Sequence, residues 1–336
     1  MSSNGVRPVV GILDADPEAC SSLEEWLRAA GFAPQRVHDL RERVAVTLVR
    51  WPVREQPELQ FATAASPVVL LADRAAMPAQ EVVARAVEVV PLPDASDVKS
   101  LLSYSSRLIA VLRQVTTPRA EVCRVPAPGV DAEEQRKPLP ALIAIGVSTG
   151  GPLALQELFG SLRGAELPPI VLVQHIPGNF LGVLIERLAR ETGGRFEVAA
   201  DGALLRPGVA YFAPGDHHLR VTGDRTALRA KWSDEPPRRG HRPAAEILFE
   251  SCAELPLRGI GVIMTGMGQD GAQALLRLRQ KGWATLGQSE ATCAIYGMPR
   301  AAKQVGAVAR EVALADLGTW LQMLCRPRRV AASGPV

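Results

Sequence analysis

The sequence predicts an α/β protein in two parts: a small α/β domain, then a larger domain built on a doubly wound, mainly parallel sheet. Strand-like and helix-like segments alternate along both parts, the order that right-handed crossovers and a parallel sheet require. Several of the strand segments are continuous apolar runs, such as ALIAIG at 141–146 and IVLVQ at 170–174. Strands buried on both faces of a parallel sheet read that way. Between the parts lies TPRAEVCRVPAPGVDAEEQRKPLP, with five prolines and no sustained period. Proline fixes φ and removes a donor, so this stretch reads as an extended linker. The expected organisation is therefore 1–116, linker 117–140, main domain 141–325 and a disordered tail 326–336.

In the first part, VVGIL at 9–13 reads as a short buried strand ending at Asp14. Asp16 can cap a helix with Pro17 at its first position, Leu23, Trp26, Leu27 and Ala30 recur at helical spacing, and Gly31 is a natural stop. A second strand is expected at 68–71, a helix around 79–87, a strand at 87–90 and a final helix over 95–115. Residues 36–66 are obscure apart from RVAVTLVRW, which has strand character. In the second part, strands are expected at 141–146, 170–174, 209–213, 259–265 and 283–287. Helices are expected near 152–162, 179–191, 243–254, 270–281 and 297–304.

Composition narrows the function classes. Hydrophobic residues make up 47% of the 336 and charged residues 22%, which excludes a disordered or collagen-like chain. A net charge of +3 offers no electrostatic footprint for nucleic acid or anionic lipid. Five scattered cysteines without a C-x-x-C favour reduced thiols over a disulfide framework or a zinc cluster. Neither a leader pattern nor an apolar run of membrane-spanning length is present, so a soluble, cytoplasmic protein is expected.

In a doubly wound sheet the site lies beyond the carboxyl ends of the strands. The strand at 141–146 runs into Gly146-Val147-Ser148-Thr149-Gly150-Gly151, a G-x-S-x-G turn opening onto a helix. Such a turn lifts the hydroxyl clear of the sheet and sets it near unpaired amides that favour an oxyanion. A glycine-rich turn can equally cradle a phosphate or nothing. The strand at 170–174 ends at His175, either a general base of suitable pKa or a hydrogen-bonded structural histidine. His241, in GHRP, is the other candidate base or a substrate contact, whereas His217 and His218 read as surface turn residues. The strand at 259–265 leads to Asp270, which could orient an imidazole or cap the following helix. Asp201, Asp216 and Asp234 are competing carboxylates. Serine, histidine and aspartate at three expected strand ends of one sheet meet the requirement of a Ser-His-Asp triad. Their chain order differs from that of the common α/β-hydrolases.

Six blocks, IAIGVSTGGP, QHIPGNF, PGVAYFAPGDHHL, GHRPAAEILF, GVIMTGMGQDGA and SEATCAIYGMPRAA, occur in one order over 141–305. In these the chain closely resembles the catalytic domain of the CheB-type protein-glutamate methylesterases of bacterial chemosensory systems. The resemblance implies Ser148 as nucleophile, His175 as general base and Asp270 as its orienting partner. It implies the amides of Thr149 and Met267 as oxyanion donors. The implied reaction is hydrolysis of γ-glutamyl methyl esters on the cytoplasmic helices of methylated chemoreceptors, with glutamine deamidation open to the same groups. It calls for no metal and no organic cofactor. The implied setting is a flagellar or a pilus-linked chemosensory pathway and its signalling proteins.

The first part departs from that family's usual phosphorylatable receiver. Such a domain needs an acidic pair after its first strand, an acceptor Asp after its third and a Lys after its fifth. Here Ala15 separates Asp14 from Asp16, and Asp73 leaves too few residues before the linker to be the acceptor. If 67–71 is the fourth strand, Leu92 stands where the lysine belongs. A degenerate receiver-like domain is expected, against an unrelated small α/β module. Two other functions stay open on the residues: a receptor-docking regulator without turnover, and a nucleotide-binding α/β protein. The first has no reason to keep all three triad residues, and the second lacks the phosphate-loop signatures.

Overall fold

The computed structural model describes residues 7–14, 16–51, 64–72, 78, 80–83, 85–93, 98–116, 138–176 and 178–326. The chain forms two compact units, Met1–Ala120 and Glu121–Val336. Most of the expected linker and tail, and Asp73, lie outside the described residues.

The first unit is a five-stranded parallel sheet. Its elements are β1 (Val9–Leu13), α1 (Pro17–Ala29), β2 (Ala33–Arg36), β3 (Val46–Trp51), β4 (Val68–Ala72), α2 (Gln80–Val83), β5 (Glu88–Pro91) and α3 (Val98–Thr116). The strand order is β2-β1-β3-β4-β5, with every pair parallel. That is the flavodoxin-like doubly wound order. Asp16 Oδ1 accepts the Glu18 and Ala19 amides at 3.0 and 3.3 Å, which starts α1. Ile12, Leu27, Leu48, Leu71, Leu108 and Leu112 form its core. The weakly marked segment before Trp51 is thus the third strand, and 68–72 is the fourth.

The second unit holds a seven-stranded, wholly parallel sheet in the order β14-β13-β12-β6-β7-β9-β8. Along the chain run β6 (Ile143–Val147), α4 (Gly151–Ser161), β7 (Ile170–Gln174), α5 (Gly178–Thr192), β8 (Arg195–Val198) and β9 (Val209–Phe212). After a hairpin of β10 (His218–Gly223) and β11 (Leu228–Ser233) come α6 (Ala245–Glu254), β12 (Ile260–Ile263), α7 (Ala272–Gln280) and β13 (Ala284–Gln288). The unit closes with α8 (Met298–Gln304), β14 (Arg310–Val312) and α9 (Leu314–Cys325). The apolar runs divide by parity, as side chains alternate across a strand. Ala144, Val171 and Val173 pack with Leu248, Phe249 and Leu275 on one face. Ile143, Ile145 and Leu172 pack with Leu155, Leu184 and Leu317 on the other.

Strand β6 is central, with β7 on one side and β12 on the other. The chain therefore reverses direction across the sheet at β6, and a crevice is expected beyond the carboxyl ends of these three strands. Gly146 lets α6 approach there, because a Cβ on it would lie 2.8 Å from the Ala245 Cβ. No helix among the described residues is long and apolar enough to cross a membrane.

Candidate active site

Ser148 follows β6 and His175 follows β7. Val147 is paired with Gln174, so the two residues are the next position on adjacent parallel chains. The His175 amide donates to Val147 O at 3.1 Å, and the Ser148 amide donates to Thr265 O at 2.9 Å. Gln174 ties the two strand ends together: its Nε2 donates to Ser148 O and to His175 O, each at 3.0 Å. A Cβ on Gly151 would fall 1.9 Å from Gln174 Oε1, so only glycine fits at the start of α4. Gly150, at φ 77°, makes the turn between the serine and the helix.

Asp270 is 2% exposed and uses both carboxylate oxygens. Its Oδ2 lies 2.9 Å from His175 Nε2 and accepts the Ala245 amide at 2.6 Å, while Oδ1 accepts the Glu246 amide at 3.0 Å. The carboxylate therefore caps α6, not α7: the residue at the start of α7 is Gly271, with no side-chain cap. The expected cap on the following helix is thus corrected: Asp270 caps the preceding helix, and the same carboxylate bonds His175. Burial is the largest influence on Asp270 and opposes its charge. The His175 hydrogen bond and charge, with the Glu246 and Ala245 amides, outweigh it and hold the carboxyl below its ordinary pKa. In the tautomer whose Nε2–H faces the carboxylate, Nδ1 carries the lone pair of the ring. Nδ1 is buried and has no hydrogen-bond partner among the described residues.

The loop after β12 is knitted to the segment before α8. Thr265 Oγ1 donates to Thr149 O at 2.9 Å and accepts the Ile295 amide at 3.0 Å. The Gly266 amide donates to Ile295 O, and the Gly297 and Met298 amides return to Gly266 O. A Cβ on Gly266 would sit 2.7 Å from the Ser148 Cβ and 2.4 Å from Met298 Sδ. Met267 follows directly, which puts it beside the serine turn.

His241 lies flat on His175, with ring centroids 4.0 Å apart and planes 6° apart. His218 is a correction: it is fully buried, not a surface turn residue. Its Nδ1 accepts the Ala244 amide at 3.1 Å and its Nε2 faces Pro236 O at 3.3 Å, so it anchors the loop carrying His241. The competing carboxylates are engaged elsewhere. Asp201 accepts the Trp232 amide at 2.8 Å, and Asp234 and Asp216 flank His217. Gln174, Thr265 and Glu246 were not singled out in the sequence. For Gln174 and Thr265 the one signal is polarity at the end of a buried apolar strand; Glu246 reads only as an acidic residue in the first turn of a helix. The Glu246 carboxyl accepts the Ala274 amide, tying α6 to α7 on either side of Asp270, and burial raises its pKa.

The profile of the CheB methylesterase family matches residues 143–321, more than half of the chain. The chain belongs to the CheB methylesterase family. It is 45% identical over 190 residues to a "Protein-glutamate methylesterase/protein-glutamine glutaminase 1" of Caulobacter vibrioides, covering 56% of this chain and 55% of that one. A protein-glutamate methylesterase/protein-glutamine glutaminase of Agrobacterium fabrum is 41% identical over 221 residues, 65% of this chain and 61% of the relative. Thus the match spans little more than half the length of these relatives. Among solved structures, the CheB methylesterase catalytic domain of Thermotoga maritima superposes with a TM-score of 0.53 at 29% identity. It covers 55% of this chain and 98% of that one.

Proposed function

We propose that this CheB-family chain is a protein-glutamate methylesterase working through Ser148, His175 and Asp270. The observation that carries the reading is the His175–Asp270 bond of 2.9 Å, with Nδ1 left unpaired on the strand end next to Ser148. This ring orientation supports one tautomer for the proposed reaction, in which Asp270 holds the Nε2 proton and Nδ1 is the base. Ser148 Oγ attacks the ester carbonyl as Nδ1 takes its proton. The tetrahedral oxyanion is met by the amides of Thr149 and Met267, and one such donor is worth about 3 kcal/mol. The C–OCH₃ bond then breaks, and the imidazolium returns its proton to the leaving methoxide, releasing methanol. Water, deprotonated by the same nitrogen, attacks the acyl-serine and frees the glutamate. A glutamine side chain follows the same course with ammonia leaving, and the names of the relatives carry both reactions.

The substrates we propose are methylated chemoreceptor helices in the cytoplasm. The N-terminal unit we read as a degenerate receiver. Its strand order supports that, while its strand ends lack the phosphate chemistry. Asp14 Oδ2 lies 3.6 Å from Arg50 Nη1, β3 ends at Trp51 with Pro52 next, and Leu92 follows β5. Methanol release from methylated receptor membranes tests the activity. The chain should release it, and Ser148→Ala should be about 10⁴–10⁶-fold slower in kcat. Equal rates of release would overturn Ser148 as the nucleophile, and no release by either protein would overturn the reading in favour of a docking regulator.

A further inference from the structure

We infer that His241 is a positioning residue for His175: its ring, held face to face with the base, fixes the plane of that imidazole and stabilises it once protonated. The inference rests on the methylesterase reading above. The Asp270 bond to Nε2 is made at the edge of the His175 ring. One edge-on hydrogen bond sets a direction but leaves rotation about its own axis. A second ring lying parallel at 4.0 Å removes that rotation, so Nδ1 keeps one aim. The two contacts are complementary, one in the plane and one on the face.

The loop that presents His241 is built to hold it still. Arg238 and His241 exchange both backbone hydrogen bonds at 3.0 Å across Arg239 and Gly240. Those two residues have φ of 53° and 82°, the double left-handed geometry of a tight two-residue turn. An arginine in that conformation is strained, and the closed turn keeps it there. On the far side, the Ala244 amide is held by His218 and the Ala245 amide by Asp270 itself. The carboxylate that fixes the edge of His175 thus also fixes the root of the loop that covers its face.

The stack also bears on charge. In the proposed mechanism His175 becomes an imidazolium as the ester is attacked and again as the acyl-serine is resolved. A neutral aromatic face stabilises such a cation, whereas a second cation at this distance opposes it. Four other charge-bearing groups sit on the elements that flank the pair: Asp270 on the far edge, Arg239 and Arg242 on the same loop, and Glu246 at the start of α6. Burial first, and the His175 charge next, push the His241 pKa below its ordinary value, with Asp270 opposing them. The ring is therefore neutral at pH 7.

His241→Ala and His241→Phe test this on the full chain with methylated receptor membranes. The alanine variant should lose about 10- to 100-fold in kcat, the cost of a misaimed base, with KM within about twofold. Phenylalanine restores the flat neutral face and should recover most of that loss. In proton spectra, the Nε2 proton of His175 should give a protected downfield resonance in wild type and His241→Phe, and a broadened one in His241→Ala. Three results would overturn the inference: a rise in KM with kcat intact, which makes His241 a substrate contact; a phenylalanine variant as slow as alanine, which makes its nitrogens chemical; or no change in either variant. If the wild type itself releases no methanol, the methylesterase reading fails, and the resonance of His175 still decides whether the ring is held.

Discussion

Two parallel sheets stand in this chain, and they differ most at the same place: the carboxyl ends of their central strands. In the second unit those ends present Ser148, His175 and, through a short loop, Asp270, and each is fixed by backbone hydrogen bonds from a neighbouring element. In the first unit the described ends of the central strands β1 and β3 present Asp14 facing Arg50 and Trp51, and the edge strand β5 leads to Leu92. The doubly wound order leads one to expect a crevice at the switch point in both cases. On the proposed reading, chemistry belongs to the unit whose described strand ends bring together a serine, a histidine and an aspartate. Fold alone would have assigned both units a site.

The sharpest way to break this contrast is at Asp270. Asp270→Asn keeps the size of the side chain and reverses its demand on the imidazole tautomer, so kcat should fall by about 10⁴-fold with the fold intact. Asp14→Asn, at a matching strand end of the other unit, should leave methanol release unchanged. Comparable losses in both variants would show that the two ends are not functionally distinct.

Next in size is the packing of the serine turn. In Gly266→Ala the new methyl must displace the Ser148 Cβ at 2.7 Å or Met298 Sδ at 2.4 Å. The variant should lose about 1–3 kcal/mol of stability, as overpacked sites do, and about 100-fold in kcat. Urea unfolding and methanol release read the two effects separately. An unperturbed Gly266→Ala would mean that the loop after β12 does not support the serine.

A smaller effect is the pH dependence of stability. The folded pKa of Asp270 is lowered, so its contribution is present above the unfolded carboxylate value of about 4 and is lost as the pH falls through its lowered native value. Wild type should therefore lose stability relative to Asp270→Asn between about pH 5 and the acid limit, in urea midpoints taken at each pH. The smallest effect belongs to the first unit. Arg50→Ala removes a pair of charges 3.6 Å apart, one of them well exposed, and should cost less than about 1 kcal/mol. Acetyl phosphate with Mg²⁺ should leave the intact mass of the chain unchanged. A phosphate-sized adduct lost in Asp14→Asn would restore a working receiver.

Where the pattern in the sequence is strong, the structure follows it closely. The apolar runs before Ser148, His175 and Thr265 are the strands β6, β7 and β12, because a strand covered on both faces has no polar position to obscure it. The helix α9 (Leu314–Cys325) is not singled out in the sequence, and the other elements passed over are of another kind. The hairpin β10–β11 alternates Leu219, Val221, Leu228 and Ala230 with Arg220, Thr222, Arg229 and Lys231, a half-exposed pattern that mimics a loop. Strands β2, β8 and β14 are edges of three or four residues, too short for any period to show. Within the site, side-chain chemistry was legible at strand ends and the supporting shell was not. Gln174, Glu246 and His218 act through bonds to backbone groups 26, 28 and 26 residues away, which local spacing does not encode. The His241–His175 stack is likewise a long-range contact, between a tight turn and a strand end.

The central claim is that one hydroxyl has been made reactive by its neighbours, and a fluorophosphonate probe measures that directly. Peptide mapping after brief exposure should find a single adduct, on Ser148, formed much more slowly in Asp270→Asn and abolishing methanol release in step with labelling. Labelling at another residue, or release of methanol that continues after Ser148 is fully modified, would contradict the account.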